Sequence, residues 1–522
     1  MADRPPNTSP DTEDAAPERA DAPAQPAQPA QKGGGFFARL FGGGPALDVR
    51  FVPVIGDERD EETRRIIAAL DASAGIRCRM ARGAFKVDAE KTIDEQIAKI
   101  RHEALKTIAK TGADLLIWGE MAANREAIDL HFVAPENAAG FCHGISCTAA
   151  NLTLPLPLDN ALYPALVTVT LTAATLTGNN PKTKARKDAL RAALGPALEQ
   201  AIDMAKAPPR FMAPHDRATL QGCLANAVAK AGQIWNDMNL FRAAVDLYQI
   251  AMRGLSRDVG GAGAVVAGRN LGVVLEALAD RDKAEQKQKG TKPEAILRGY
   301  QNAAAAYEAA LDNTAPDASP IDAAWVQFRL GQTYYKADIL AGETALMKKA
   351  TPAFQNALKG LPAVALPPNP PPAGATPMQL AAQTSLALIR AEALNALAET
   401  LQHMGGEDRD EKLIGRAIDT YRAALDIRTQ ERVPQLWAAT QNNLGAAYFL
   451  LGRISGGEEH FQAAQTAFSS ARDAYAKLGM PKRAALAEKH LSYVDDHLNT
   501  DPSQNPGLPM LDWEIDDDDA RP

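Results

Sequence analysis

Cysteine is scarce. Four residues, Cys78, Cys142, Cys147 and Cys223, in a chain of 522 cannot staple a scaffold of this length, which excludes a disulfide-built fold and fits a reducing compartment. Long apolar runs are missing too: none approaches the roughly 20 residues that cross a bilayer, and no N-terminal stretch joins basic residues, an apolar core and a small-residue cleavage site. A cytoplasmic location without a transmembrane segment is expected. Dense positive charge is the third absence. The formal net charge is -8, so Lys and Arg do not dominate as phosphate contact requires, and no nucleic-acid partner is expected. What the chain has instead is 46% hydrophobic residues, ample for burial, over a length that exceeds one core. Two folded regions with tails follow.

Residues 1–45 are rich in Pro, Ala, Gln, Asp and Glu until GGGFFARLFGGG. Such a stretch buries too little surface to offset its ordering entropy and reads as a disordered tail. Within it Phe36, Phe37, Leu40 and Phe41 surround Arg39. They form either a short docking motif, with at most weak peripheral contact to a membrane, or a linker that packs back on the protein. From 46 to 207 the pattern alternates between strands and helices. LDVRFVPVIG, GIRCRMAR, ADLLIWGEM, AIDLHFVAP, NLTLPLPL and ALVTVTLTAATL read as strands. Between them come an acid-opened helix, DERDEETRRIIAALDAS, a second helix with Ile93, Ile97, Ile100, Ala104 and Ile108 on one face, and a closing helix from about Lys182 to Met204. The sum is an α/β domain whose sheet is mostly parallel and edged by a hairpin.

Residues 214–498 are helical in pattern, and one motif returns five times. Its best copy is WAATQNNLGAAYFLLGR followed by FQAAQTAFSSARDAY, with Leu444, Gly445 and Tyr448 in a first helix and Ala464, Phe468 and Ala471 in a second. The others place Gly232 and Tyr248, then Gly272 and Tyr307, then Gly331, Tyr334 and Phe354, then Ala398 and Tyr421 at comparable positions. Small residues let helices approach closely and aromatics fill the space opposite. A single such pair cannot bury its own apolar face, so tandem copies must stack. LPAVALPPNPPPAGATP, from Leu361 to Pro377, interrupts the array with an exposed excursion, because its prolines forbid continuous helix. PKRAALAEKHLSYVDDHL supplies a polar terminal helix as a cap. Residues 499–522 form a disordered acidic tail, LDWEIDDDDARP at its end, which is either simply solvated or, with Trp513 among the acids, a docking peptide for a basic surface.

These copies resemble the tetratricopeptide repeat (TPR) family, in particular a bacterial subtype whose extended turn carries a Gly-Gly pair, matched by Gly405-Gly406 and Gly456-Gly457. The resemblance implies an all-α superhelix, an α-solenoid, whose first helices line a concave groove for a protein or peptide partner. The groove positions are Arg269, Phe328, Gln332, Tyr335, Asn395, Glu399, Asn442, Ala446 and Phe449. Upstream, VRFVPVIGDERD and GADLLIWGE resemble the small α/β module of TolB-type N-terminal domains. That likeness carries no catalytic set with it.

The search for chemistry ends without a constellation. VPVIGDERDEE places a helix after a strand, but it has neither Gly-rich phosphate spacing, and its acids repel phosphate. Cys142, His143 and Cys147 in FCHGISC lack the second ligand pair of a structural zinc site. His102, His403 and His497 have no partner at ligand spacing, and Trp118 and Trp325 read as packing residues, the latter near enough to a helix start to face a groove. No cofactor, no metal and no enzymatic activity are expected. The function that remains is a protein-interaction scaffold. The alternatives are a ligand-sensing or nucleotide-binding α/β region that signals through the repeats, and an envelope-associated assembly factor; oligomeric state stays open.

Overall fold

The computed structural model describes residues 47–499 apart from 83–84, 86–92, 136–143, 146–150, 175, 177–179, 256, 315–319 and 343. The docking motif Phe36, Phe37, Leu40 and Phe41, the acidic C-terminal tail, and Cys142, His143 and Cys147 lie outside the described residues.

Five strands, β1 (Leu47–Phe51), β2 (Ile76–Met80), β3 (Leu115–Met121), β4 (Ala127–Val133) and β5 (Leu152–Pro155), form one sheet in the order β2-β1-β3-β4-β5. The first two pairings are parallel and the last two antiparallel. The sheet is therefore half parallel. It differs from a mostly parallel sheet because β5 pairs antiparallel with β4 and because ALVTVTLTAATL adds no strand, its residues up to Ala173 belonging to helix α3 (Tyr163–Ala173). Its β-branched residues suit a strand as well as a buried helix, so what surrounds the segment decides. Here Leu166, Thr168, Val169, Thr170 and Leu171 are all buried, and helix geometry lets the threonine hydroxyls be satisfied. Thr170 donates to the Leu166 carbonyl at 2.8 Å, Thr172 to Thr168 at 2.8 Å, and Thr168 to Ala197 on the next helix at 2.9 Å.

Helix α1 (Glu61–Ala72) and α2 (Ile93–Thr111) cover opposite faces of the sheet. The crossover from β1 to β2 runs one way along the sheet and that from β2 to β3 the other. Right-handed connections then place their helices on opposite sides. Central strand β3 alternates accordingly, Leu115 and Ile117 facing Ile66 and Leu70 of α1, Leu116 and Trp118 facing Ile100, Ala104 and Ile108 of α2.

Helix α4 (Pro181–Lys206) leads into a run of helices that pack on their sequence neighbours: α5 (Pro214–Trp235) with α6 (Met238–Gly254), α7 (Arg257–Ala284) with α8 (Pro293–Asp312), α9 (Pro320–Ala341) with α10 (Met347–Gly360), α11 (Pro377–Asp408) with α12 (Glu411–Leu425), and α13 (Pro434–Ser455) with α14 (Glu458–Lys477). α15 (Pro481–Asn499) closes the last pair. This is a tandem array of helical hairpins. Its core is continuous with that of the sheet, because β5, α3 and α4 all pack on α5.

Glycine and aromatic positions show how each hairpin is held. A Cβ on Gly272 would meet the Tyr307 ring at 2.5 Å, one on Gly331 the Phe354 ring at 2.7 Å, and one on Gly445 the Phe468 ring at 2.9 Å. Gly232 departs from this scheme, since it faces Phe241 at 2.7 Å, as Gly452 faces Phe461 at 2.9 Å nearer the turn. Buried Ala225 stands as far ahead of Tyr248 as Gly445 does of Phe468 and takes that place in the first pair. The Gly-Gly reading divides as well. Gly456, at φ 80°, caps α13 in the left-handed region, whereas Gly405 and Gly406 lie inside α11 and the turn comes after them at Arg409. Gly405 is needed there because Ile414 of the partner helix would stand 2.8 Å from a Cβ.

Candidate interaction surface of the first helices

The odd-numbered helices of the array, α5 to α13, form one layer, and it is more tightly filled than a groove reading expects. Of the nine groove positions, Arg269, Phe328, Asn395, Asn442, Ala446 and Phe449 are buried, while Gln332, Tyr335 and Glu399 are half-buried. The buried six are packing residues, because neighbouring hairpins and the α/β region cover the faces a concave groove would leave open.

At the N-terminal end the cover comes from the α/β region itself. Arg269 of α7, 1% exposed, donates to the Gly144 carbonyl at 2.9 Å and to Asn270 at 2.8 Å, and its guanidinium lies 3.9 Å from the centre of the Trp325 ring. Lys230 of α5 donates to the Ile145 carbonyl at 3.3 Å, and Ile145 is fully buried. Two buried cations thus grip consecutive main-chain carbonyls. A cation over an indole face in a dry site gains about 2 kcal/mol, which helps explain why Arg269 can be enclosed at all. Trp325 consequently packs under Arg269 and does not line a groove.

Between the second and third hairpins lies a charge cluster. Glu276, fully buried, accepts from Arg329 at 2.6 Å, Lys336 at 2.9 Å and the Tyr307 hydroxyl at 3.1 Å. Lys336 also reaches Asp280 at 2.9 Å, and Tyr300 donates to Asp280 at 2.7 Å. Burial disfavours the Glu276 carboxylate, but the Arg329 and Lys336 charges outweigh it and hold its carboxyl down at about 2. Tyr307 is pushed up by burial and then by the adjacent carboxylate.

Two of the ring tyrosines share an acceptor position, whereas Tyr248 of the first hairpin donates to Asn226 at 2.9 Å. Tyr307 donates to Glu276 and Tyr421 to Gln402 at 3.1 Å, each acceptor standing four residues after the small residue that faces the ring, Gly272 or Ala398. Where the ring is Phe354 or Phe468, that position is apolar or aromatic, Tyr335 or Phe449. A buried hydroxyl needs an acceptor and a phenyl ring does not. This pairing was readable in the sequence once the hairpins were aligned.

Farther along, Glu399 accepts from Asn395 at 2.7 Å and Asn443 at 2.6 Å, and Thr440 donates to Asn395 at 3.2 Å. At the C-terminal end α15 covers the layer. Asn442 faces His490 at 3.0 Å, and Phe449 packs against Phe461 and His497 with centroids 5.7 and 5.4 Å away. The half-open stretch lies between these ends, around Gln332, Tyr335, Lys336, Glu399 and His403.

The α/β region offers little anion chemistry at its first helix. Asp57 accepts from Glu61 N at 3.1 Å, Thr63 N at 2.8 Å and Thr63 Oγ1 at 2.9 Å, so a carboxylate occupies the donors an incoming phosphate would use. Cys78 and Cys223 are buried, and burial pushes both thiols up to about 12; Cys223 donates to the Asn151 carbonyl. Among the described residues no three His, Cys, Asp or Glu side chains gather as a metal site, and no helix is long and apolar enough to cross a membrane.

No family model matches the chain, and no curated protein does. Among solved structures it is similar to one described as a circular tandem repeat protein with novel repeat topology and enhanced subunit contact surfaces, at 12% identity and a TM-score of 0.24, over 65% of this chain and 78% of that one. At that score nothing is carried across from it. The class rests on the chain's own helices: a helical-hairpin repeat protein whose first hairpin carries a mixed α/β region.

Proposed function

We propose that the protein is a non-enzymatic interaction scaffold of the tetratricopeptide kind, whose first-helix layer holds an extended peptide segment of a partner protein. One observation carries this reading. The layer already holds main chain of the α/β region at a bend, where Gly144 has φ 74°, gripping the Gly144 and Ile145 carbonyls through Arg269 and Lys230 and burying the Ile145 side chain. Main-chain contacts give affinity to such recognition and side-chain pockets give selectivity. The half-open stretch around Gln332 and Tyr335 presents an amide and an aromatic side chain to a second segment. Asn442 and Phe449 are unsuitable for testing this, because changing them opens the core.

The test places a photo-crosslinking side chain at position 332 or 335 of the full-length chain. The crosslinked protein is then measured against Gln332→Ala/Tyr335→Ala, which is expected to lose about tenfold or more in affinity, a change of about 1.4 kcal/mol, with an unchanged melting profile. Equal affinity in the variant, or binding mapped to the α/β region alone, would contradict the proposal.

A further inference from the structure

The proline-rich segment between the third and fourth hairpins is exposed only in its second half. Every residue from Pro368 to Gly374 is exposed, but Leu361 and Pro367 are buried and Pro362, Val364 and Leu366 half-buried. Its root is fixed by Arg390 of α11, which donates to the Leu358 carbonyl at 2.9 Å and the Leu361 carbonyl at 2.8 Å, satisfying carbonyls that the end of α10 leaves open. Two further side chains hold the run that follows. Gln383 of α11 donates to the Ala365 carbonyl at 3.0 Å, and Arg432, in the connection between the fourth and fifth hairpins, donates to the Pro367 carbonyl.

This route is longer than the connection requires. Arg390 stands thirteen residues after Pro377, the first residue of α11, or about 20 Å along the helix axis. About six extended residues would cover that distance, whereas the chain uses the fifteen from 362 to 376. The surplus carries the segment to Arg432, beyond the helices that it joins.

The contact is also one-sided in its chemistry. Gln383 and Arg432 both donate, and both acceptors are main-chain carbonyls. The Val364 N–H is taken up within the segment, by the Pro362 carbonyl at 3.0 Å, and among the described residues no side chain accepts from an N–H of 362–367. A surface that offers only donors suits a chain with few N–H groups, and proline has none. Proline-rich chains also arrive already extended, which lowers the entropy lost on docking. The hold is a light one, because Arg432 is exposed and Gln383 half-buried, so water competes for both bonds.

We propose that residues 362–367 are a strap lying in cis over a docking site for a proline-rich segment of a partner protein, formed by Gln383, Arg432 and the surface that buries Pro367. Tied to α10 and α11 at its two ends, the strap acts at an effective concentration of about millimolar. It therefore closes the site to segments that bind no better than itself and yields to one that adds contacts. The site shares no residue with the stretch around Gln332 and Tyr335 and does not depend on it.

The probe is a labelled peptide of residues 362–373, PAVALPPNPPPA. In one full-length variant residues 362–372 are replaced by Gly and Ser at equal length, which leaves the Arg390 contacts and the Thr376 cap of α11 in place. This variant should bind the peptide at least about tenfold more tightly than the wild type, since its site is open. Adding Gln383→Ala and Arg432→Ala to it should remove that gain, as should a peptide with Ala in place of every Pro. A second variant, Pro367→Gly, loosens the strap without changing its length or the site and should raise the affinity about threefold or more. If neither variant exceeds the wild type, the strap covers no site. If the all-Ala peptide binds as well as the native one, the site does not select proline. Sedimentation showing the strap-replaced variant paired with the wild type would make a second copy the occupant and overturn the partner protein.

Discussion

Gly272, Gly331 and Gly445 are the residues on which each hairpin closes. An added methyl would lie within 2.5 to 2.9 Å of Tyr307, Phe354 or Phe468, rings that are fully buried and cannot swing away. Alanine favours a helix over glycine by about 1 kcal/mol, but overpacking a closed site costs about 1 to 3 kcal/mol. Gly272→Ala and Gly445→Ala should therefore lower the denaturation midpoint. Gly415 of α12 has no atom within 4 Å of the Cβ position, so Gly415→Ala should raise it. Equal effects at the three positions in chemical denaturation would mean that close approach is not what these glycines provide. Those small and aromatic positions were legible in the sequence because they repeat. Gly232 was legible as providing space but not as to which ring it faces, since glycine stands at two depths in these hairpins, as Gly445 against Phe468 and Gly452 against Phe461 show in the fifth.

The helices differ in how far their pattern revealed them. α14 shows one apolar face and reads as a helix at once, whereas α3 is apolar nearly all round and rich in Thr and Val. Burial on every side removes the periodicity that separates helix from strand, so its helical state depends on the sheet, α4 and α5 that surround it. α15 reads plainly as a helix, yet its role at the array's end depends on His490. Burial, and then neighbouring Lys489, push this imidazole down from 6.5 to about 4; Asn442 and the Phe468 ring face it from α13 and α14. As pH falls, the unfolded chain takes up this proton near 6.5 and the folded one only near 4. The stabilisation present at neutral pH is thus lost progressively between those values. It amounts to about 3 kcal/mol. His490→Gln should flatten the pH dependence of unfolding in that window. A slope identical to wild type would show that α15 docking does not depend on a neutral imidazole.

The whole molecule couples its α/β region to its repeats through Arg269. One side chain reaches the Gly144 carbonyl in the first region, Asn270 in the second hairpin and Trp325 in the third. Leaving a buried acceptor without its donor costs about 1 to 3 kcal/mol. Arg269→Met should accordingly speed amide exchange in β5 and α5 as well as in α9. Faster exchange confined to the α7–α9 contact would show that the two regions are held together by other means.

Repetition and periodicity were sufficient to establish the helical hairpins, their small and aromatic closures, the proline-rich interruption and the parallel core of the sheet, because those features are set by neighbours in sequence or by spacing that recurs. The half-antiparallel sheet, the helix at ALVTVTLTAATL and the burial of most groove positions were decided by tertiary structure alone. Each depends on what lies against a segment from far along the chain. Arg269 is the clearest case: its sequence position marks it as a groove residue, and Gly144 and Trp325, 125 residues before and 56 after it, make it part of the core.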